Sequence, residues 1–102
     1  MLVAHVDTIV DRFGAIYTVR RAPLGAGAVV YYALTGDIPV VRAVLRVGSG
    51  RVSEVLVYRQ ADRRRGIASA LYRLIEADLG RPLRPSRILS KAGRAFWASR
   101  AK

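Results

Sequence analysis

Apolar and polar positions follow two different patterns in this chain, with the change near residue 60. Before it, apolar residues come in short runs rich in valine, isoleucine and tyrosine, interrupted by glycine. Leu2 to Val10 alternates loosely, and Ala15 to Arg20 follows Gly14 with Ile16, Tyr17 and Val19 as strand formers. Beyond a loop predicted from Pro23 to Gly27, three further runs follow: Ala28 to Leu34, Ile38 to Val47 and Val52 to Tyr58. Thr35-Gly36-Asp37 and Gly48-Ser49-Gly50 separate them. Turns this short join antiparallel neighbours, so the first half predicts a β-meander.

From Gly66 to Leu79 the period lengthens. Ile67, Leu71, Leu74 and Ile75 recur at i, i+4, i+7 and i+8, which is one face of a helix. Arg73, Glu76 and Asp78 fall largely outside that stripe. Gly80 fits a C-terminal cap, with Pro82 just beyond it. Arg81 to Pro85, with two prolines, reads as extended. Ser90 is placed to cap a last helix through about residue 99, with Ala92, Ala95, Phe96 and Trp97 available for packing. The predicted fold class is α/β (α+β), a mainly antiparallel sheet flanked by helices. With 102 residues, one core and one domain spanning 1–102 are expected.

Composition narrows the classes. An apolar content of 52% excludes a disordered, solvating chain. No apolar run reaches the ~18 residues of a membrane span, and residues 1–10 lack a signal-peptide pattern, with His5 and Asp7 in the way. The expected location is cytoplasmic, with no membrane partner. The chain has no cysteine, so disulfides, thiolate metal sites and cysteine nucleophiles are excluded. Its single histidine, His5, argues against a histidine metal cluster or a serine–histidine triad. No metal is expected, and His5 reads as a surface or satisfied residue.

Charge adds a partner class. The formal net charge is +11, and it is unevenly spread: +2 over residues 1–50 and +9 over residues 51–102. Sixteen of the 18 basic residues are arginine, whose planar fork matches phosphate and carboxylate. Such a balance favours an acidic partner, nucleic acid or a phosphorylated cofactor.

The most informative stretch joins the two patterns. A strand run ends at Tyr58, a polar turn carries Arg63, Arg64 and Arg65, and Gly66 opens the amphipathic helix. A helix start presents unpaired backbone N–H groups and a partial positive charge, and arginines add to that field. Two readings of this turn are open: a phosphate cradle, or a solvated charged turn.

Arg63-Arg64-Arg65-Gly66-Ile67-Ala68 resembles the acetyl-CoA signature of the GNAT superfamily of N-acetyltransferases, which is Gln/Arg, two residues, Gly, one residue, then Gly/Ala. Ser53 to Tyr58 resembles the strand before that signature, and Ser69-Ala70-Leu71-Tyr72 the helix after it. Gly93-Arg94-Ala95-Phe96-Trp97 resembles the later helix, where an aromatic pair packs near the cofactor thiol. The resemblance covers about residues 28–100.

The resemblance implies an acetyl-CoA-dependent N-acetyltransferase with a GNAT-like sheet. The pyrophosphate would rest on backbone amides from Arg64 through Arg65, Gly66 and Ile67 to Ala68, with Ser69 in the first helical turn and Arg63 at the first signature position. The pantetheine arm would pair with the strand end around Leu56 and Val57. An amine would attack the thioester directly. Three departures accompany it. The usual N-terminal helix pair is replaced by strand-like sequence, the family's final hairpin is missing, and Trp97 stands where the family often has tyrosine. The expectation is a minimal version with an open acceptor site, or one completed by a second subunit in a homodimer.

Direct attack needs a neutral amine and a group to take its proton. Glu54 is the candidate general base: plain alternation puts it on the same side as Val52, Leu56 and Tyr58, where partial burial would raise its pKa; the other reading is an edge or surface glutamate balancing nearby arginines, and a strand bulge would shift the alternation. Tyr58 is the weaker candidate acid, with strand packing as its alternative role, and Tyr72 reads as helix packing. Phe96 and Trp97 read as core rather than as a platform for bases. The alternative functions are a small basic nucleic-acid-binding module and a CoA-binding fold without turnover. The acceptor amine is not readable from the sequence.

Overall fold

The computed structural model describes residues 7–84 and 91–100. His5, Pro85, Ser90 and the predicted strand residues before Asp7 lie outside them, as do the side chains of Ala92 and Gly93.

The valine-rich runs form five strands: β1 (Asp7–Val10), β2 (Ile16–Gly25), β3 (Ala28–Thr35), β4 (Ile38–Arg46) and β5 (Arg51–Val57). They make one antiparallel sheet in the order β1-β2-β3-β4-β5, the predicted meander. Two differences from the sequence reading are local. β2 runs on through the expected loop, pairing Pro23 with Val29, and its register shifts between Pro23 and Gly25. Proline, lacking an N–H, thus sits at the irregular end of the ladder. The second difference is a bulge in β5: Leu45 pairs with Val52 but Val44 pairs with Glu54, so Ser53 is the extra residue.

Two helices follow, α1 (Ile67–Leu79) and α2 (Lys91–Arg100). α1 keeps Ile67, Leu71, Tyr72 and Ile75 at 2% exposure or less, as its period requires. Burying each such side chain contributes about 1.5–3 kcal/mol. Gly80 ends the helix with φ 77°, and its N–H donates to the Glu76 carbonyl. That left-handed cap is readily adopted by glycine. Beyond it the chain returns beside β5: Arg84 forms a parallel bridge to Arg51, with Val52 N–H donating to the Arg84 carbonyl and Arg84 N–H to Gly50.

Both helices contribute to one core. It joins Tyr17, Val19, Tyr31 and Val41 of the sheet to the apolar stripe of α1, with Phe96 and Trp97 of α2 packed against it. Tyr72 meets Phe96 edge-on at 5.1 Å and Trp97 at 5.5 Å. These aromatics are core, as expected, whereas Ala95 is exposed. The other sheet face carries a small separate cluster of Ala28, Val30 and Val44, to which no helix contributes among the described residues. The helices therefore cover one face of the sheet rather than flanking both.

Candidate functional site

The link from β5 to α1 is built from both ends of the sequence. A short 3-10 turn (Gln60–Asp62) is closed by Arg59, whose Nε donates to Asp62 at 2.8 Å. Arg64 then takes φ 63°, a left-handed conformation that costs a non-glycine residue about 1–2 kcal/mol. Gly66 is the N-cap at φ 82°, and no side chain caps the helix. The N–H groups of the first turn thus keep no intrahelical partner.

What holds this turn is the β1–β2 connection, through Asp11. Its carboxylate, fully buried, accepts from the Phe13 and Ala15 N–H groups, the Tyr17 hydroxyl and Arg65 Nε, the last at 2.8 Å. Arg12 N–H donates to the Arg65 carbonyl at 2.8 Å, and the Arg65 guanidinium lies 4.9 Å from the Phe13 ring centre. Burial by itself would raise the Asp11 pKa, but these donors outweigh it and hold the carboxyl well below the usual carboxylate range. Burial and the bond to Asp11 push the Tyr17 hydroxyl up.

The expected field of three outward arginines changes accordingly. Arg65 is not turned outward toward a ligand; its guanidinium ties the turn to the core. A Cβ on Gly66 would meet Arg12 atoms at 3.6–3.8 Å, which is ordinary contact. The glycine is required by its φ rather than by the space around it.

Beside this clasp lies a cleft of about 300 Å³ lined by Val10, Asp11, Arg12, Gly66, Ser69 and Arg73. Arg12, Arg63, Arg64 and Arg73 are exposed, and none has a carboxylate partner among the described residues. The remaining arginines near carboxylates are committed. Arg21 bridges Asp7 and Asp78, and Asp78 also accepts from the Tyr31 hydroxyl at 2.9 Å. Burial and that bond push Tyr31 up to about 12. Four guanidinium groups without a carboxylate partner thus stand near the start of α1, with Arg46, Arg84 and Arg94 similarly exposed elsewhere. Ser69 lines the cleft, while the Ile67 side chain is buried and Ala68 half-buried, so the last two offer backbone groups only.

The expected place of Glu54 is corrected. The bulge at Ser53 reverses the alternation, so Glu54 pairs with Val44 on the face opposite Val52 and α1. It is exposed, and Arg42 Nη1 holds it at 2.5 Å. The partial burial expected there is absent. Tyr58 is also exposed and lies near Arg42, whose pKa is pushed up by its cross-strand neighbour Tyr32 and then by Glu54. Glu54 and Tyr58 therefore share one polar cluster, while Arg63 to Ser69 form another around α1. Leu56 and Val57 lie between them on β5, Leu56 exposed on the Glu54 side and Val57 packed toward the core.

Asp11 and Arg12 escaped the sequence reading. The signal was local: an aspartate closing a valine-isoleucine strand, with Phe13 and Gly14 after it, is an Asx-type turn. Its contact with Arg65 spans 54 residues and has no local signature. No α-helix is long and apolar enough to cross a membrane, and no cluster of metal-ligating side chains is present, both among the described residues. No known protein family, no curated protein and no solved structure matches this chain.

Proposed function

We propose that the protein is an acyl-CoA-dependent N-acyltransferase using acetyl-CoA. The observation that carries this reading is the cluster of unpaired Arg12, Arg63, Arg64 and Arg73 around an uncapped helix start that directly follows β5. The resemblance of Arg63 to Ala68 to the GNAT signature supports it. The backbone N–H groups of Ile67, Ala68 and Ser69 would receive the pyrophosphate, with the free guanidinium groups facing the phosphate charges. Asp11, by fixing Arg65, holds that turn in place before any ligand arrives.

The pantetheine arm would run along the outer edge of β5, near Leu56 and Val57. Among the described residues, parallel pairing on that edge extends only over Gly50–Val52, against Arg84. The acetyl group would then lie near Glu54 and Tyr58. The amine nitrogen forms a bond to the acetyl carbon, the carbon–sulfur bond breaks, and the proton lost by nitrogen ends on the leaving thiolate. Glu54, held by Arg42, would carry that proton, with Tyr58 as the donor to sulfur.

Calorimetry tests the cradle. Acetyl-CoA should bind, and Arg63→Ser with Arg64→Ser should weaken it by about ten-fold or more, since each loses a charge-assisted contact. No binding at high micromolar concentration removes the reading. Binding without CoA release over a panel of amines would mean a CoA-binding fold without turnover.

A further inference from the structure

All seven Asp and Glu side chains lie within the described residues, and six of them are closely engaged. Arginines hold Asp7, Asp11, Glu54, Asp62 and Asp78, and Glu76 accepts from the Leu83 N–H at 2.9 Å. Asp37 alone is loosely held, 3.9 Å from Arg20 and almost fully exposed, so a cationic ligand would find one weakly committed carboxylate among these seven. An anionic one finds an excess of guanidinium groups.

The uncovered sheet face is the second observation. Arg20, Arg42, Arg46 and Arg51 lie on it against Glu54, with Asp37 in the adjoining turn. Its exposed apolar side chains are mainly aliphatic, with Ile16 at 67% and Leu56 at 42%. Binding of single-stranded nucleic acid relies on a series of aromatic stacking platforms, and among the described residues this face offers Tyr58 well exposed and Tyr32 half-buried. Aliphatic side chains next to arginines match a polypeptide that carries both acidic and apolar residues.

We propose that the uncovered sheet face docks an acidic polypeptide segment, and that the acyl acceptor is the N-terminal amine of that segment. The second clause rests on the acyltransferase reading; the docking does not. The choice of amine follows from Glu54. Arg42 holds it in an exposed ion pair, so it is poorly placed to strip a proton from a lysine, whose pKa is about 10.4. An α-amine, with a pKa of about 7.7–8.0, is already partly neutral near neutral pH.

Fluorescence anisotropy decides the docking. The probes are a short labelled peptide alternating glutamate with leucine and carrying a free N-terminus, its lysine-for-glutamate counterpart, and a single-stranded oligonucleotide of equal charge to the acidic peptide. The acidic peptide should bind at least about ten-fold more tightly than the lysine peptide and more tightly than the oligonucleotide, and weaken as salt rises. Arg20→Ser with Arg46→Ser should reduce that binding about five-fold or more, and saturating acetyl-CoA should not displace the peptide. Equal binding of the lysine peptide, tighter binding of the oligonucleotide, or no effect of the double variant overturns the docking surface.

A CoA-release assay decides the acceptor. The acidic peptide with a free N-terminus should turn over, and an N-formylated peptide with one internal lysine should be at least about ten-fold slower. The reverse preference overturns the acceptor assignment. If acetyl-CoA fails to bind in calorimetry, the acyltransferase reading and the acceptor clause fall with it, while anisotropy still decides the docking surface.

Discussion

The two faces of the sheet use the same residue types for opposite ends. On the helix-covered face, arginine is a structural residue: Arg65 neutralises the buried Asp11, and Arg21 joins Asp7 to Asp78. The Asp11–Arg65 pair sits beside the core, where the dielectric is low and several hydrogen bonds fix the geometry at once; the Arg21 pairs are partly exposed but share Asp78 with the Tyr31 hydroxyl. Around the start of α1, Arg12, Arg63, Arg64 and Arg73 are exposed with no carboxylate partner among the described residues, as is Arg46 on the uncovered face. Charge there contributes little to stability and much to the field that a ligand meets. Net charge therefore misleads when it is taken as one number: only the uncommitted part of the +11 can attract a partner.

Core truncation is the strongest way to break this contrast. Leu71→Ala, on the covered side, should cost about 2–5 kcal/mol in chemical denaturation. Leu56→Ala, on the open side, should stay within about 0.5 kcal/mol. Equal losses would mean that the open face is covered in solution.

Asp11→Asn comes next. At neutral pH it should lower Tm by about 10 °C, because Arg65 loses its counter-charge and Tyr17 its strongest acceptor. The pH dependence sharpens it. The Asp11 pKa is depressed by folding, so its contribution is present above the unfolded value of about 3.9 and is lost as pH falls below it. The native protein should lose Tm steeply on acidification below about pH 4, and the variant should show a shallower decline. Parallel declines would show that Asp11 is not the group responsible.

Tyr31 gives the smallest effect. Its pKa is raised by folding to about 12, so its contribution persists below the unfolded value near 10 and is lost as pH rises toward 12. Ultraviolet titration should find one tyrosine ionising near pH 12, and Tyr31→Phe should remove that step at a cost of about 1 kcal/mol.

The periodic parts of the fold were legible. Valine-rich runs between glycine turns gave the meander, and the i, i+4, i+7, i+8 stripe gave α1 with its cap at Gly80. The site was legible only in part. Arg63 to Ser69 could be picked out because a helix start, a glycine and a charge run are neighbours in sequence. The fates of the three arginines could not be separated, because Arg65 is distinguished from Arg63 and Arg64 only by a carboxylate 54 residues away. The two readings of Glu54, a base on the covered face or a surface partner of arginine, could not be separated for a related reason. One extra residue in a strand leaves composition and hydropathy unchanged but turns every later side chain to the other face.

The sequence by itself determined the elements, their antiparallel order and the existence of a surplus of positive charge, since periodicity, turn chemistry and charge are local or additive properties. Only the tertiary structure decided which arginines are spent on the protein's own carboxylates and which remain for a ligand, and which face of the sheet stays open. Those depend on pairings between distant residues and on where two helices come to rest, and no local pattern encodes either.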